Sequence, residues 1–64
     1  MRNITHEEQD KLREIYKKRL QREKQIWISK VTGINHNTLS SFKNGKIDLY
    51  EYLYEKLEKY LLNN

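Results

Sequence analysis

The sequence contains no cysteine and no proline, and it has only two glycines. Without cysteine the chain forms no disulfide, and it has no thiol for catalysis or for binding a metal. No apolar run approaches the roughly 20 residues that a membrane span needs, and the N-terminus lacks the apolar core of a secretory signal. We therefore expect a soluble, cytoplasmic protein that does not enter a membrane.

The chain is also short and poor in apolar residues. It has 64 residues, of which 36% are hydrophobic and 34% are charged. A domain of this size buries only roughly 60% of its unfolded surface. With no repeat and no linker-like segment, residues 1–64 are predicted to form a single domain. A small helical domain fits this composition, as does a domain that a partner stabilises.

Positive charge is unevenly distributed along the chain. The net charge is +4, and the range from Lys11 to Lys30 holds eight Lys or Arg residues against two Glu. The range from Ile47 to Asn64 holds two Lys against four acidic residues. Such asymmetry favours an anionic partner, with nucleic acid first. A solvated, charged helix surface is the alternative.

Helical patterns predict the first and the last elements. Thr5 followed by Glu8 is typical of a capping box, and a helix is predicted over about residues 6–22. Asp48 and Glu51 form a second pair of this kind, before a helix that extends to about residue 62. At 100° per residue, the apolar residues of this last helix fill an arc of about 140°; they are Leu49, Tyr50, Leu53, Tyr54, Leu57, Tyr60 and Leu61.

The two glycines bracket the segment TGINHNTLSSFKNG, residues 32–45. Gly33 is expected to end a short helix over residues 25–32, because glycine readily takes the left-handed conformation that follows a helix. Asn35 is a suitable N-cap for a third helix over residues 36–44, and Gly45 ends that helix. The fold is therefore predicted to be all-α, with four helices. Its predicted core comprises Leu12, Ile15, Leu20, Ile28, Val31, Ile34, Leu39, Phe42, Leu53 and Leu57.

Two short helices joined by a glycine-containing turn are typical of a helix-turn-helix. The segment QIWISKVTGINHNTLSSF, with FKNGK at its end, resembles the lambda-repressor-like (Cro/xenobiotic-response-element) helix-turn-helix family. The matching positions are Gln25, Ile28-Ser29, Thr32-Gly33-Ile34 and Thr38-Leu39-Ser40. The resemblance implies a compact helical bundle that reads double-stranded DNA, as a repressor-type regulator of phage or mobile-element origin.

The resemblance also implies roles for individual residues. Base edges would be met by His36, Asn37, Ser40 and Ser41. Phosphates would be met by Gln25, Asn35, Lys43, Asn44 and Lys46. The residue types suit these roles, because Asn can bond an adenine edge, Ser can pair with most bases and Lys positions the duplex. The alternative is that short polar residues merely keep an exposed helix soluble.

The chain departs from the family pattern in several places. The family often has an acidic residue at the position of Lys43, which pairs with a basic residue of the first helix. Many members also have a fifth helix, for which this chain has no room. Ile26 and Trp27 stand where polar residues are common, and exposed aromatic residues often anchor protein interfaces. A second hypothesis is therefore a helix-turn-helix redirected to a protein, as in phage inhibitors such as anti-CRISPR proteins or in antitoxin-like partners.

The remaining polar residues predict neither catalysis nor a cofactor. His6 and His36 lie 30 residues apart without acidic residues at metal-ligand spacing, and the glutamates of the last helix resemble a solvated face. Any self-association must use the surface of this one domain. We expect a homodimer through Tyr50, Tyr54 and Tyr60, with Ile26 and Trp27 as the other candidate interface for a twin or a partner protein. A core position is the alternative for the tyrosines.

Overall fold

Four α-helices and no strand form residues 3–63, the part of the chain that the computed structural model describes. The helices are α1 (His6–Arg19), α2 (Gln25–Thr32), α3 (His36–Lys43) and α4 (Glu51–Leu62). α1 packs against α3 and α4, and α2 packs against the same two helices. None of these helices is both long enough and apolar enough to cross a bilayer. The predicted all-α fold is confirmed.

The predicted caps are confirmed at α1 and wrong at α4. The Thr5 hydroxyl accepts a hydrogen bond from the backbone N–H of Glu8 at 3.1 Å, as the capping box predicts. α4 begins only at Glu51 and has no side-chain cap. The carboxylate of Asp48 instead accepts from the guanidinium of Arg13 at 3.0 Å. The buried guanidinium of Arg13 therefore binds the carboxylate that the sequence pattern assigned to the cap of α4.

α1 ends three residues earlier than predicted, although no glycine or proline follows it. After Arg19 the chain tightens, because the N–H groups of Gln21 and Arg22 bond carbonyls three residues back, at 3.1 and 3.0 Å. The Glu23 carboxylate then accepts from the Arg19 guanidinium at 3.3 Å and from the Tyr60 hydroxyl. Contacts with α4 thus hold the turn that ends α1.

Both glycines end helices in the left-handed conformation, as predicted. Gly33 has φ 75°, and its N–H bonds the carbonyl of Ser29 at 2.9 Å. Gly45 has φ 77°, and its N–H bonds the carbonyl of Phe42 at 3.1 Å, while the next N–H reaches the carbonyl of Ser41 at 2.9 Å. These are the bond patterns of the left-handed and Schellman helix ends. A side chain at either position would strain the backbone.

The core differs from the predicted one at a few positions. It consists of Leu12, Tyr16, Ile28, Ile34, Leu39, Phe42, Leu49, Tyr54, Leu57 and Leu61. Ile15, Leu20 and Leu53 are half-buried against it. The prediction for Val31 is wrong, because its side chain is 49% exposed. Val31 lies at the edge of the α2–α4 contact, beside a concavity that Lys56, Lys59 and Tyr60 also line.

Arg13 is a buried cation that holds the segment after α3 against α1. Its guanidinium donates to the carbonyls of Phe42 and Ile47, and it lies 4.7 Å from the centre of the Phe42 ring. It also pairs with Asp10 and Asp48. Position 43 holds a lysine, whereas the family that the sequence resembles often has an acidic residue there. In this chain a basic residue of α1 finds its acid at Asp48 instead.

The free energy of unfolding should fall slightly at alkaline pH because of His6. Its Nδ1 lies 3.1 Å from a carboxylate oxygen of Asp48, and this bond, with the nearby charge of Asp10, raises the pKa of His6. The bond to His6 also lowers the pKa of Asp48. The histidine's contribution is complete below the ordinary pKa of about 6.5 and is lost as the pH rises through its folded value. The aspartate's contribution is present above about 3.8 and is lost as the pH falls through its lowered pKa.

Urea unfolding at about pH 6 and about pH 9, on either side of the ordinary histidine pKa, checks this. The wild-type midpoint should be lower at the higher pH, and His6→Ala should remove most of that difference. The effect is small because both side chains are largely exposed. An equal fall in the variant would assign the pH dependence to another group.

Candidate nucleic-acid interface

α3 has one buried face and one polar, outward-facing side. Leu39 and Phe42 are fully buried beneath it. The four predicted base-contacting residues fall within an arc of about 140° on the opposite side at 100° per residue; they are His36, Asn37, Ser40 and Ser41. The first two are exposed and the two serines are half-buried. The fold therefore brings all four onto one accessible surface of one helix.

Side-chain hydrogen bonds fix the turn between α2 and α3. The Thr32 hydroxyl donates to the carbonyl of Ile28 at 2.7 Å and accepts from the N–H of Ile34 at 3.3 Å. The Ser29 hydroxyl donates to the carbonyl of Ile34, whose side chain is buried. Small hydroxyl side chains thus satisfy the backbone of a turn that has few backbone bonds of its own. The direction in which α3 leaves α2 is set by these contacts.

The residues predicted to meet phosphates occupy varied surroundings. Asn35 caps α3, because its side-chain oxygen accepts from the N–H of Asn37 at 2.8 Å. Its amide nitrogen points away from that bond. Lys43 is half-buried at the end of α3, whereas Asn44 and Lys46 are exposed in the turn that follows.

Gln25 differs from the other predicted phosphate contacts because both ends of its amide are engaged within the protein. The oxygen accepts from the hydroxyl of Tyr16, and the nitrogen contacts the ring of His36. The second N–H of this amide nitrogen and the backbone N–H in the first turn of α2 remain to meet a phosphate.

Two of the three cations that gather beside the end of α3, Arg22 and Lys24, were not predicted as site residues, whereas the third, Lys43, was. Arg22, Lys24 and Lys43 line a concavity of about 450 Å³ between the α1–α2 turn and the end of α3. Glu23 also lines it, but its carboxylate is engaged by Arg19 and Tyr60. Within residues 3–63, none of these three cations forms a salt bridge. The available signal was the basic run QREKQ, which lies within the basic range from Lys11 to Lys30.

The segment that surrounds α3 carries no negative charge of its own. From Lys24 to Ile47 the chain has four lysines and neither aspartate nor glutamate. This segment includes α2, the turn, α3 and the turn after it. Because carboxylates would repel phosphates, an acid-free surface of this extent can approach a polyanion closely. Its lysines and Arg22 supply the attraction.

Tyr54, one of the candidate interface tyrosines, is a core residue, and the prediction that it is accessible for a dimer contact is wrong. Tyr54 is only 4% exposed, and its hydroxyl donates to the carbonyl of Glu8 at 3.3 Å. Tyr60 is half-buried and bonds Glu23. Only Tyr50, which is 79% exposed, offers its ring freely. Most of the apolar side chains in the arc of the last helix are thus buried or half-buried within the domain.

The other candidate interface is accessible. Ile26 and Trp27 are 58% and 54% exposed on α2, and the exposed Val31 lies one turn after Trp27. On α4 the exposed apolar side chains are Tyr52 and Leu62. These five are the large apolar side chains that the helices of residues 3–63 leave exposed.

No family model, no curated protein and no solved structure matches this chain. Among residues 3–63, no three histidine, aspartate or glutamate side chains gather as a metal site would require. A function for the chain therefore has to rest on the surfaces and contacts described above.

Proposed function

We propose that this chain is a small sequence-specific DNA-binding protein, of the lambda-repressor-like helix-turn-helix type, that reads the major groove with α3. The observation that carries the proposal is the acid-free polar face of α3 beside the unpaired cations Arg22, Lys24 and Lys43. A repressor-type role in a phage or mobile element is the function that such a domain would serve.

The exposed residues of α3 are suited to base edges. The major groove admits an α-helix, and the first residues of the second helix are the ones that reach the bases. His36 and Asn37 open α3, and both are exposed. An asparagine side chain can form a bidentate pair with adenine, and serine can bond several bases. We therefore assign base reading to the start of α3, with Ser40 and Ser41 one turn further on.

Phosphates would bind beside the end of α3, where Arg22, Lys24 and Lys43 line one concavity. Arg22 and Lys24 lie beside the start of α2, and Lys43 and Lys46 lie at or just after the end of α3. Each lysine or arginine that neutralises a phosphate releases a counterion, so that affinity falls as salt rises. These contacts fix register and orientation without reading sequence. The four cations and the polar face together make a complete interface of the helix-turn-helix kind.

A homodimer on DNA completes the proposal. A single module of this size covers only about 600–1,000 Å² of protein surface on DNA, and helix-turn-helix readers commonly pair so that two reading helices lie one turn of DNA apart. Because Tyr54 is buried, the contact would use the exposed Tyr50, Tyr52 and Leu62 around α4. Sedimentation with and without a palindromic site decides this point. A monomer in the absence of the site, together with one protein per site in its presence, excludes the dimer.

Base-reading and phosphate-binding residues should respond differently to substitution. On a selected site, Asn37→Ala should cost about 1–3 kcal/mol and relax the preference at one base pair. Lys24→Gln should weaken binding to all sequences alike and reduce the salt slope by about one. Fluorescence anisotropy over a salt series, on specific and scrambled duplexes, measures both quantities.

The matched control is Lys11→Gln, because Lys11 lies beside Ile15 and Leu62, at the contact between α1 and α4, and not on the surface of α3. Its slope should stay that of the wild type. Equal, sequence-independent losses from Asn37→Ala and Lys24→Gln would argue against base reading by α3.

A second candidate function is protein binding through α2. Ile26, Trp27 and Val31 are about half exposed, Lys24 precedes them in the chain, and Lys30 lies between Trp27 and Val31. Such a surface fits an acidic protein partner, as in a phage inhibitor or an antitoxin-like protein. This function replaces the first if the purified protein binds no DNA while Trp27→Ala abolishes capture of a protein partner and Tyr52→Ala does not. Tyr52 is a suitable control because it is an exposed aromatic residue on another helix.

A further inference from the structure

A chain of side-chain hydrogen bonds connects the core to the start of α3. The ring of Tyr16 is fully buried in α1, and its hydroxyl donates to the amide oxygen of Gln25 at 2.9 Å. The amide nitrogen of Gln25, the first residue of α2, lies 3.2 Å from Nε2 of His36. His36 is the first residue of α3 and is exposed. Three helices therefore meet in one line of polar contacts.

The chemistry of these groups determines which atom donates and which atom accepts in each hydrogen bond. Burial raises the pKa of Tyr16, so its hydroxyl keeps its proton. When that hydroxyl donates to the Gln25 oxygen, the amide NH₂ must face His36, and an NH₂ group can only donate. In a neutral His36 ring, Nε2 is then the acceptor and carries no proton. A neutral histidine ring has one N–H, which must in this case be at Nδ1.

We propose that Gln25, oriented by Tyr16, is a positioning residue that holds neutral His36 in its Nδ1–H form and so makes it a hydrogen-bond donor toward DNA. This inference rests on the proposed function for its target and on the Tyr16–Gln25–His36 contacts for its mechanism. An unconstrained histidine in water favours the opposite form, with the proton on Nε2. The protein thus selects the less common form at the position where α3 begins.

The selected form determines which base His36 can read. A ring that carries its proton on Nδ1 can donate from that nitrogen to an acceptor on a major-groove edge, such as N7 or O6 of guanine, N7 of adenine or O4 of thymine. It cannot accept from the amine of cytosine. At the base that His36 meets, cytosine should therefore be disfavoured. The opposite ring form would present Nδ1 as an acceptor and would tolerate cytosine.

Nitrogen NMR of the free protein tests the positioning role directly. At about pH 9, above the ordinary histidine pKa, two-bond proton–nitrogen correlations distinguish a protonated from an unprotonated ring nitrogen. We expect Nδ1–H for His36 in the wild type. Gln25→Glu keeps the shape but replaces the donating NH₂ by an accepting oxygen, so His36 should change to Nε2–H. The chain's only other histidine, His6, is the internal control and should not change.

The tautomer assignments have clear contrary outcomes. His36 in the Nε2–H form in the wild type, or an unchanged ring in Gln25→Glu, would overturn the positioning role. Tyr16→Phe adds a variant that leaves the surface untouched, because it removes only the hydroxyl that orients Gln25. It should give His36 a mixture of both forms.

The consequence for recognition is tested on DNA with Tyr16→Phe. Selection from random duplexes should show that discrimination against cytosine at one base pair falls by about fivefold, the contribution of one neutral hydrogen bond. Unchanged discrimination, despite a mixed tautomer, would overturn base reading through Nδ1. If the wild-type protein binds no DNA, the proposed function fails and the reading role fails with it. The NMR result still decides whether Gln25 positions His36, so the two failures are distinguishable.

Discussion

Leu39→Ala should destabilise the protein by about 2–5 kcal/mol, the range for deleting a buried leucine side chain. Leu39 is fully buried under α3 in the main core. A domain of this length is expected to have a total unfolding free energy of only about 3–10 kcal/mol, so this one substitution can unfold it. Urea unfolding followed by helical circular dichroism measures the change. Trp27 is a weak reporter, because it is half exposed.

Val31→Ala is the matched control for this prediction. Val31 is an aliphatic residue of α2, and the sequence pattern placed it in the core like Leu39, but its side chain is half exposed. Its loss should cost under about 0.5 kcal/mol, the usual limit for a surface change. A large loss from Val31→Ala with a small loss from Leu39→Ala would mean that the faces of α2 and α3 are assigned incorrectly.

Arg13→Met should cost about 3 kcal/mol. The guanidinium is nearly buried, donates to the carbonyls of Phe42 and Ile47, and pairs with Asp48. Removing one member of a buried, charged network leaves its partners without bonds, which usually costs more than the network contributes as a whole. Methionine fills much of the space of the arginine stem, so the loss reports the bonds rather than a cavity. Urea unfolding gives the value.

Arg22→Met makes the same chemical change at an exposed arginine without a salt bridge in the described chain. It should alter the free energy of unfolding by less than about 0.5 kcal/mol. An Arg13 variant no less stable than this control would show that the Asp48 segment is held by other contacts. Arg13→Lys should recover only part of the loss, because lysine lacks the planar fork of donors.

The parts of the fold set by local chemistry could be predicted from the sequence. Gly33 and Gly45 end helices because a left-handed residue is needed there, and Thr5 and Asn35 cap helices through bonds to nearby N–H groups. The polar face of α3 follows from helical periodicity alone. These features depend on residues no more than five positions apart, which a sequence displays directly.

The parts set by distant contacts could not be predicted in this way. Asp48 looked like a helix cap, but Arg13, 35 residues earlier, takes its carboxylate. The apolar pattern of the last helix predicted that Tyr54 would be accessible for a dimer contact. Its side chain is instead buried, and its hydroxyl donates to the carbonyl of Glu8 in α1. Arg22 and Lys24 belong to the candidate interface only because α1 ends at Arg19 and the turn brings them beside Lys43. Each of these outcomes depends on how two helices meet.

Selection of bound duplexes from a random DNA pool, with the purified 64-residue chain, is the sharpest test of DNA reading by α3. If α3 reads DNA, a defined motif will be recovered, with two half-sites about 34 Å apart if the protein dimerises on DNA. Lys24→Gln should recover the same motif more weakly, and Asn37→Ala should lose one position of it. Recovery of no motif at low salt, from a protein that is folded by circular dichroism, would contradict DNA reading by α3.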